Sequence, residues 1–572
     1  MIAAAFTAPS VAWTALAPVV VVLGAAVVGV LVEAFVPDRL RRTTQVALAI
    51  AATAGALVAV IALWGGVHRS GGTVVLGGSL LVDGPTLVLW ATLALLGLLS
   101  VLVVADRTQT GEDSFAPLAA AVPGSEYEEQ ARRAGLAQTE VYPLTLFALG
   151  GMMVFPAAGD LLTLFVALEV LSLPLYLLSG MARRRRLLSQ EASMKYFLLG
   201  AFASALLLFG IVLLYGYSGS IRYADITAAT GTPGGTEGLL LVGTVLLFAG
   251  LLFKVGAVPF HMWTPDVYQG APTPITGFMA ACTKVAAFGA ILRIVYAMLP
   301  GMAWDLGALL WIVAIATMVV GTVAGLVQND VKRLLAYSSI AHAGFVLTGV
   351  VALHQRGITG VLFYLVAYGL ATIGAFAIVS LVRERSGDSI TGEATALSQW
   401  AGLGRSHPVL ALTFTLFLLS FAGIPLTAGF MGKFAVFSAA VAGGAWPLAL
   451  IGVLASAAAA FFYVRIIVLM FFTAAHEETA EAVVEDGAVA GGEGLPAAAP
   501  DELLTADVAA GGTATAVAVA PTLTERATAT VVVRSEGFAA VAIAVCAVGT
   551  ILLGVFPTPV LDLVDAVARF LQ

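Results

Sequence analysis

The chain has 572 residues, of which 60% are hydrophobic and only 11% are charged, and its mean hydropathy is +1.00. A soluble domain needs far more charge to cover its surface. Apolar runs of about 20 residues, long enough to cross a bilayer, recur along the whole chain. The composition therefore excludes a soluble protein and predicts a polytopic membrane protein.

Fourteen apolar segments, separated by turn and charge signals, predict an all-α fold with about 14 transmembrane helices. They cover residues 11–35, 42–64, 84–105, 141–158, 160–180, 191–217, 238–260, 273–299, 305–328, 331–353, 357–382, 408–440, 445–474 and 537–558. No basic stretch precedes the first segment, so it is expected to be a retained helix rather than a signal peptide.

Basic residues favour one orientation of these segments. With the N-terminus outside, the inward loops hold 17 Lys and Arg residues, whereas the outward loops and the C-terminus hold 4. Cytoplasmic loops of membrane proteins carry such an excess of positive charge. The bias predicts that both termini face outward.

The segment 476–536 differs from the rest of the chain, because it has 11 acidic residues and only 2 arginines. It is rich in Ala, Gly and Thr, a composition that cannot bury enough apolar surface to form a core. It is expected to be a flexible inward loop, and a regulatory docking site is the alternative interpretation.

Lysine usage gives the clearest indication of function. The chain has 22 arginines but only 5 lysines, and four of these, Lys195, Lys254, Lys284 and Lys433, fall within predicted spans. A buried lysine ammonium can release its proton, whereas a guanidinium stays protonated. Ionisable groups inside a membrane are costly and usually face an internal hydrated cavity. The buried lysines are therefore candidate proton carriers.

Glu169 is the one acidic residue deep within a span, and it is expected to pair with Lys254 at mid-membrane depth. A static structural ion pair is the alternative role. Lys195 lies four residues after Glu191, so a local ion pair is at least as plausible for it as a relay role. Arg293 and Arg465 are expected to snorkel to the interface or to pair locally.

Helix-breaking residues accompany two of these lysines. Gly256 and Pro259 follow Lys254 in the seventh span, and Gly423 and Pro425 precede Lys433 in the twelfth. Irregular backbone is tolerated at membrane depth only where it lines water or protein. Two interrupted spans five helices apart predict two inverted repeats around an ion path, covering residues 141–299 and 305–475. The remaining expected units are 1–140 and 537–572.

Five sequence segments carry a resemblance to a known family. They are Asp160–Met181, Glu191–Gly216, Phe253–Ala290, Asp330–Phe345 and Ser420–Phe434, and the first begins DLLTLFVALEVLSLP while the third begins FKVGAVPFHMWTPDVYQGAPTPIT. The chain resembles the antiporter-like membrane subunits of respiratory complex I, over most of residues 140–475. The resemblance implies a proton relay of Glu169, Lys254, Lys284 and Lys433. For His261 and His342 it leaves open whether each extends the relay or makes a structural hydrogen bond.

The resemblance also implies how the relay is driven. Transport against the membrane potential needs an external source of free energy. The chain has no GxGxxG motif leading a strand, no P-loop and no cysteine cluster, since Cys282 and Cys546 lie apart in apolar runs. No cofactor or metal is therefore expected in this chain, and FMN, iron–sulfur clusters and quinone are expected in partner subunits that oxidise NADH and reduce quinone.

The implied partners are the bilayer of the bacterial cell membrane, an M-like antiporter subunit, small K-, J- and A-like subunits, and the lateral helix of the L subunit, with no role for nucleic acid. Two other functions stay open at this point. One is a subunit of a multi-subunit sodium/proton antiporter of the same ancestry. The other is a structural membrane spacer that translocates nothing itself.

Overall fold

The computed structural model describes residues 11–108, 113–116, 125–127, 130, 138–183, 186–231, 237–386, 389–474 and 529–571. Within these ranges the chain is mostly helical, and eleven helices are long and apolar enough to cross a membrane. A multi-pass helical membrane protein is therefore confirmed. The number of fourteen crossings and the inversion of the two repeats stay predictions.

The helices of the first half are α1 (Trp13–Phe35), α2 (Asp38–Ser70), α3 (Gly84–Ala105), α4 (Val141–Ala157), α5 (Leu161–Ser179), α6 (Arg186–Ser218), α7 (Tyr223–Thr230), α8 (Glu237–Val255), α9 (Trp263–Gly270) and α10 (Thr273–Met298). Helix α10 includes π-helical turns at Met279–Thr283 and Ile294–Met298. The span predicted at 238–260 is shorter in the structure, because α8 ends at Val255.

The helices of the second half are α11 (Ala303–Leu326), α12 (Val331–Val350), α13 (Gln355–Leu381), α14 (Leu403–Ser406), α15 (Pro408–Ala422), α16 (Ala428–Ala442), α17 (Trp446–Phe472), α18 (Phe538–Val555) and α19 (Thr558–Asp565). Short 3-10 turns lie at Leu76–Gly78, Pro300–Met302 and Leu397–Trp400. The segment predicted as one broken span at 408–440 forms two helices, α15 and α16.

The described chain is mostly helical, as expected, but five short strands that the sequence did not predict lie between the helices. Strands β1 (Gly72–Val75) and β2 (Leu80–Asp83) form an antiparallel hairpin. Strands β3 (Val382–Ser386), β4 (Ser389–Glu393) and β5 (Ala529–Val532) form an antiparallel sheet in the order β4-β3-β5. Strands of four or five residues are too short to show a clear alternation of apolar and polar residues.

Strand β5 lies within the segment predicted to be a flexible loop. Residues 529–532 of that segment pair with β3 instead, in the register Val382 to Val532. The rest of the expected loop, up to residue 528, lies outside the described residues.

Burial separates central from peripheral helices. The most apolar windows of α10, α13 and α3 are 100%, 94% and 78% buried, whereas those of α2 and α17 are only 28% buried. Helices α3, α10 and α13 therefore form the interior of the bundle. Helices α2 and α17 present much of their surface to the surroundings.

A buried ion pair connects α10 with the start of α3, with α4 and with the C-terminus. The Arg293 guanidinium donates to both carboxylate oxygens of Asp83, each at 2.9 Å, and also to Thr86 Oγ1 and to the Pro156 carbonyl. Asp83 accepts from the backbone N–H of Thr86 at the start of α3 and from that of Leu571 at the C-terminus. The expectation of a local role for Arg293 was wrong, because its partner is 210 residues away.

We predict that Arg293→Met lowers the free energy of unfolding by about 3–5 kcal/mol, because it leaves Asp83 buried without a counter-charge. Denaturation of the purified chain in mixed micelles measures the change. The double variant Asp83→Leu with Arg293→Met should recover most of the loss. The exposed Arg569 supplies the control, and a loss no larger than that of Arg569→Gln would contradict the prediction.

Candidate functional site

The backbone is interrupted at two places where glycine adopts a left-handed conformation. Helix α8 ends at Val255 and Gly256 has φ +73°, while α15 ends at Ala422 and Gly423 has φ +81°. A Cβ on Gly256 would lie 2.8 Å from Thr264 Oγ1, so a larger residue meets a close neighbour as well as backbone strain. Any residue other than glycine would therefore strain the backbone at either turn.

Prolines follow both glycines. Pro259 lies in the connection between α8 and α9, and Pro425 lies in that between α15 and α16. A proline lacks a backbone donor, so it prevents the helix from continuing in a regular way. The last carbonyl groups of α8 and α15 are thereby left without intrahelical partners.

Lysine ammonium groups supply partners for these carbonyls. Lys284 Nζ donates to the Val255 carbonyl at 2.7 Å. Lys433 Nζ donates to the Phe421 and Ala422 carbonyls at 2.7 and 3.1 Å. An unsatisfied backbone carbonyl in a bilayer costs several kcal/mol, so these contacts stabilise both interruptions.

Lys254 lies one residue before the end of α8 and is almost fully buried. Its ammonium donates to Ser172 Oγ at 2.8 Å and to Tyr196 Oη at 3.0 Å. It also lies 5.8 Å from the centre of the Tyr176 ring. Two hydroxyl groups and an aromatic face thus accommodate this charge, and among the described residues its third N–H has no acceptor.

Glu169 does not form the direct ion pair with Lys254 that the sequence suggested. Among the described residues, no Glu169 oxygen lies within 4.0 Å of Lys254 Nζ, and the buried Glu169 Oε1 has no hydrogen-bond partner. Ser172 lies three residues after Glu169 on the same face of α5, and its hydroxyl contacts Lys254 instead. Glu169 therefore lies less than one turn of α5 before Ser172, the residue that contacts Lys254.

Lys284 connects the first interruption with the second half of the chain. Besides the Val255 carbonyl, its ammonium donates to the Ser339 carbonyl on α12 at 2.9 Å. The Ser339 hydroxyl in turn accepts from Tyr368 Oη at 2.8 Å. A π-helical turn ends directly before Lys284, a feature that often occurs at functional positions in helices.

His342 lies in a buried group of hydroxyls beyond Lys284. Its Nδ1 is 2.7 Å from Tyr364 Oη, and its Nε2 is 3.3 Å from Tyr463 Oη. The Tyr463 hydroxyl is also hydrogen-bonded to Ser338 Oγ. His342 therefore occupies the region between Lys284 and the second interruption.

Lys433 makes more hydrogen bonds than Lys254 or Lys284 does. Ser456 Oγ is its third acceptor, at 2.7 Å, so all three N–H groups of the ammonium have partners. Its Nζ lies 4.8 Å from the centre of the Phe345 ring. Tyr364, the partner of His342, packs against Gly432 beside it.

Lys195 and His261, for which a relay role was left open, make no hydrogen bond or ion pair with the buried lysines in the described part of the chain. Lys195 is 41% exposed and forms ion pairs with Glu191 at 2.6 Å and with Asp266 at 2.7 Å. The local pair considered from the sequence is thus present. His261 lies in the connection between α8 and α9, and in the described part of the chain its Nδ1 has no hydrogen-bond partner.

A second charged cluster surrounds Lys332, a lysine that the sequence did not single out. The buried Lys332 ammonium donates to Glu393 Oε2 at 3.1 Å and to the Ala271 carbonyl at 2.8 Å. Glu393 also accepts from Thr273 and lies 3.8 Å from Arg383. Since Glu393 comes from β4, no periodicity in the sequence could place it here.

The cluster lines a cavity of about 40 Å³ that Val533 also borders, and this space is large enough for water. Burial of Glu393 opposes its ionisation, but the charges of Lys332 and Arg383 and the hydrogen bonds from Thr273 and Lys332 outweigh it. They lower the pKa of Glu393 to about 2. The carboxylate therefore stays charged at any physiological pH.

We predict a pH dependence from this pKa. Because the folded pKa lies below the usual 4.5, the contribution of Glu393 to stability is present above pH 4.5 and is lost as the pH falls towards 2. The difference in free energy of unfolding between the wild type and Glu393→Gln should shrink by about 2–3 kcal/mol over that range. Denaturation series at several pH values measure it, and a difference independent of pH would contradict the prediction.

Comparison with known proteins identifies related chains. Residues 158–458 match the family described as NADH:quinone oxidoreductase/Mrp antiporter, TM. NADH-quinone oxidoreductase subunit N of Beutenbergia cavernae is 61% identical over 573 residues, covering 99% of each chain. The protein of the same name from Mycobacterium tuberculosis is 50% identical over 580 residues, again covering 99% of each chain.

Solved structures show the same fold. A chain of respiratory complex I from Thermus thermophilus with bound aureothin superposes with a TM-score of 0.69 at 30% identity, covering 96% of this chain and 100% of that one. A chain of the Mrp complex from Dietzia sp. has a TM-score of 0.73 at 22% identity, covering 96% and 97%. At that identity the second likeness indicates the fold alone.

Proposed function

The chain belongs to the family of NADH-quinone oxidoreductase subunit N, and on that premise we propose how its buried residues move protons. It is a proton-translocating subunit of the membrane arm of that complex. One observation carries the proposal: Lys284 Nζ lies 2.7 Å from the carbonyl of Val255, the residue that follows Lys254. The helix interruption thus brings two buried ammonium groups to the same short stretch of backbone.

The relay that we propose begins at Glu169 and Lys254. A proton carrier must reach the next group within hydrogen-bond distance or through one water. Glu169 Oε1 and the third N–H of Lys254 have no partner among the described residues, and we propose that one water joins them. When the Glu169 carboxylate is charged, it favours the Lys254 ammonium; when it is protonated or moves away, that support is lost and the proton leaves.

The second part of the relay runs from Lys284 to Lys433. A carbonyl oxygen accepts hydrogen bonds but does not carry a proton onward. We therefore propose that water beside the Val255 carbonyl joins Lys254 to Lys284, and that water beside the Ser339 carbonyl joins Lys284 to the next carriers. The hydroxyls of Tyr368, Tyr364 and Tyr463 and the imidazole of His342 can both accept and donate protons. Lys433, with its three acceptors, is the terminal site in this chain.

The free energy for transport comes from outside this chain. Moving one charge against the membrane potential costs about 2.3 kcal/mol per 100 mV. The buried cysteines Cys282 and Cys546 do not fit an iron–sulfur cluster, which takes four thiolate ligands, and FMN and quinone are assigned with the clusters to partner subunits. We therefore place NADH oxidation and quinone reduction in partners and give this chain no redox site.

The chain acts beside other membrane subunits. We propose contacts with an M-like antiporter subunit, with small K-, J- and A-like subunits and with the lateral helix of the L subunit. The bacterial origin of its relatives supports the bacterial cell membrane as the location. The distribution of basic residues supports an orientation with both termini outside. The Mrp-like alternative, a sodium/proton antiporter subunit, predicts purification without flavin and iron–sulfur subunits.

We predict that Lys254→Met and Glu169→Gln each abolish coupled proton pumping, because each removes a group that exchanges a proton with the other. The ratio of protons pumped to NADH oxidised, measured in proteoliposomes with the assembled enzyme, tests this. Lys254→Arg separates the relay from a static ion pair, since arginine keeps the charge but does not release a proton. It too should lose pumping.

The control is Arg69→Met, which removes an exposed cation remote from the buried lysines and should keep the wild-type ratio. Full pumping by an assembled Lys254→Arg enzyme would show that only the fixed charge is required. An unchanged ratio in Lys254→Met or Glu169→Gln would remove these residues from the relay.

We predict that Lys284→Ala and Lys433→Ala also lower the ratio of protons to NADH, because each removes a carrier as well as a carbonyl partner. Quantification of the subunits separates lost transport from failed assembly. A structural spacer predicts the opposite result, which is an unchanged ratio in both assembled variants.

A further inference from the structure

A groove of about 580 Å³ lies on the outer face of α17, between that helix and the segment around Leu397. Phe461, Val464 and Val468 form its helical wall, and they are 65%, 46% and 44% exposed. These side chains recur at intervals of three and four residues, so they lie on one face of the helix. The groove is thus mostly apolar and lies along the outside of the bundle.

Arg465 places a positive charge at the edge of this apolar groove. Its guanidinium donates to Asn329 Oδ1 at 2.9 Å and to the Gln328 carbonyl at 3.3 Å, and both acceptors are neutral. The ion pairs found among the described residues do not include Arg465. Its charge therefore has no carboxylate partner in the part of the chain that the structure describes.

The position of Arg465 along α17 matches the level of lipid headgroups. Helix α17 has 27 residues, so it is about 40 Å long, whereas the hydrocarbon core of a bilayer is about 30 Å thick. Arg465 lies seven residues before the end of the helix, near the boundary of that core. Its contacts with Gln328 and Asn329 in the connection from α11 to α12 agree with the snorkelling expected from the sequence.

We propose that this groove binds a phospholipid with a net negative headgroup, one acyl chain lying along α17 and the phosphate pairing with Arg465. The guanidinium is well suited to this role, because it forms paired hydrogen bonds to phosphate oxygens. Asn329 lies beside it and offers a further polar contact at the same level. The site is separate from the buried lysines, so the proposal does not depend on the relay.

Photolabelling of the assembled complex in nanodiscs tests the site. The probes are phosphatidylglycerol and phosphatidylcholine with the same diazirine-bearing acyl chain, and mass spectrometry of peptides locates the adducts. We expect phosphatidylglycerol to label the peptide containing residues 461–468 more strongly than phosphatidylcholine does. Arg465→Gln should reduce that labelling about fivefold, the effect of about 1 kcal/mol of attraction per basic residue near an anionic lipid surface.

Two control variants separate charge from folding. Arg465→Lys keeps the charge and should keep most of the labelling. Arg39→Gln removes an exposed arginine at the start of α2 and should leave α17 labelling unchanged. Equal labelling by the two lipids, or no effect of Arg465→Gln, would overturn the proposal. So would the absence of lipid adducts together with a cross-link between this peptide and a neighbouring subunit.

Discussion

The backbone carbonyls at the ends of α8 and α15 constrain the rest of the structure. They are exposed by helix interruptions inside an apolar bundle, where no bulk water can satisfy them. Lys284 and Lys433 provide the missing donors. A compact ammonium with three donors fits this task, whereas the planar guanidinium needs acceptors arranged along a fork. The structural requirement and the proton-carrying role thus fall on the same residue type.

The two interruptions differ in a way that bears on transport. Lys433 uses all three donors within the chain, while Lys254 and Lys284 each make two hydrogen bonds to described residues. A neutral amine has only two N–H groups, so deprotonation costs Lys433 one of its partners. His342 and its tyrosine neighbours fill the region between Lys284 and Lys433 with groups that can exchange protons. Whether a proton can pass from Lys284 to Lys433 therefore depends on where water can enter this region.

Much of this site could be predicted from the sequence, because lysine, glycine and proline are so unusual inside apolar runs. The positions of the interruptions and the burial of Lys254, Lys284 and Lys433 followed from that contrast. Contacts between distant segments could not be predicted in the same way. Ser172 as a partner of Lys254 and Glu393 as a partner of Lys332 depend on how helices and short strands pack, which leaves no periodic trace in the chain.

The most direct test of this account is an experimental map of the assembled complex at a resolution that shows ordered water. The account predicts water within hydrogen-bond distance of Lys254 Nζ and Lys284 Nζ, forming a continuous connection through the His342 region to Lys433. Apolar side chains closing off these amines, with dry gaps between them, would contradict it.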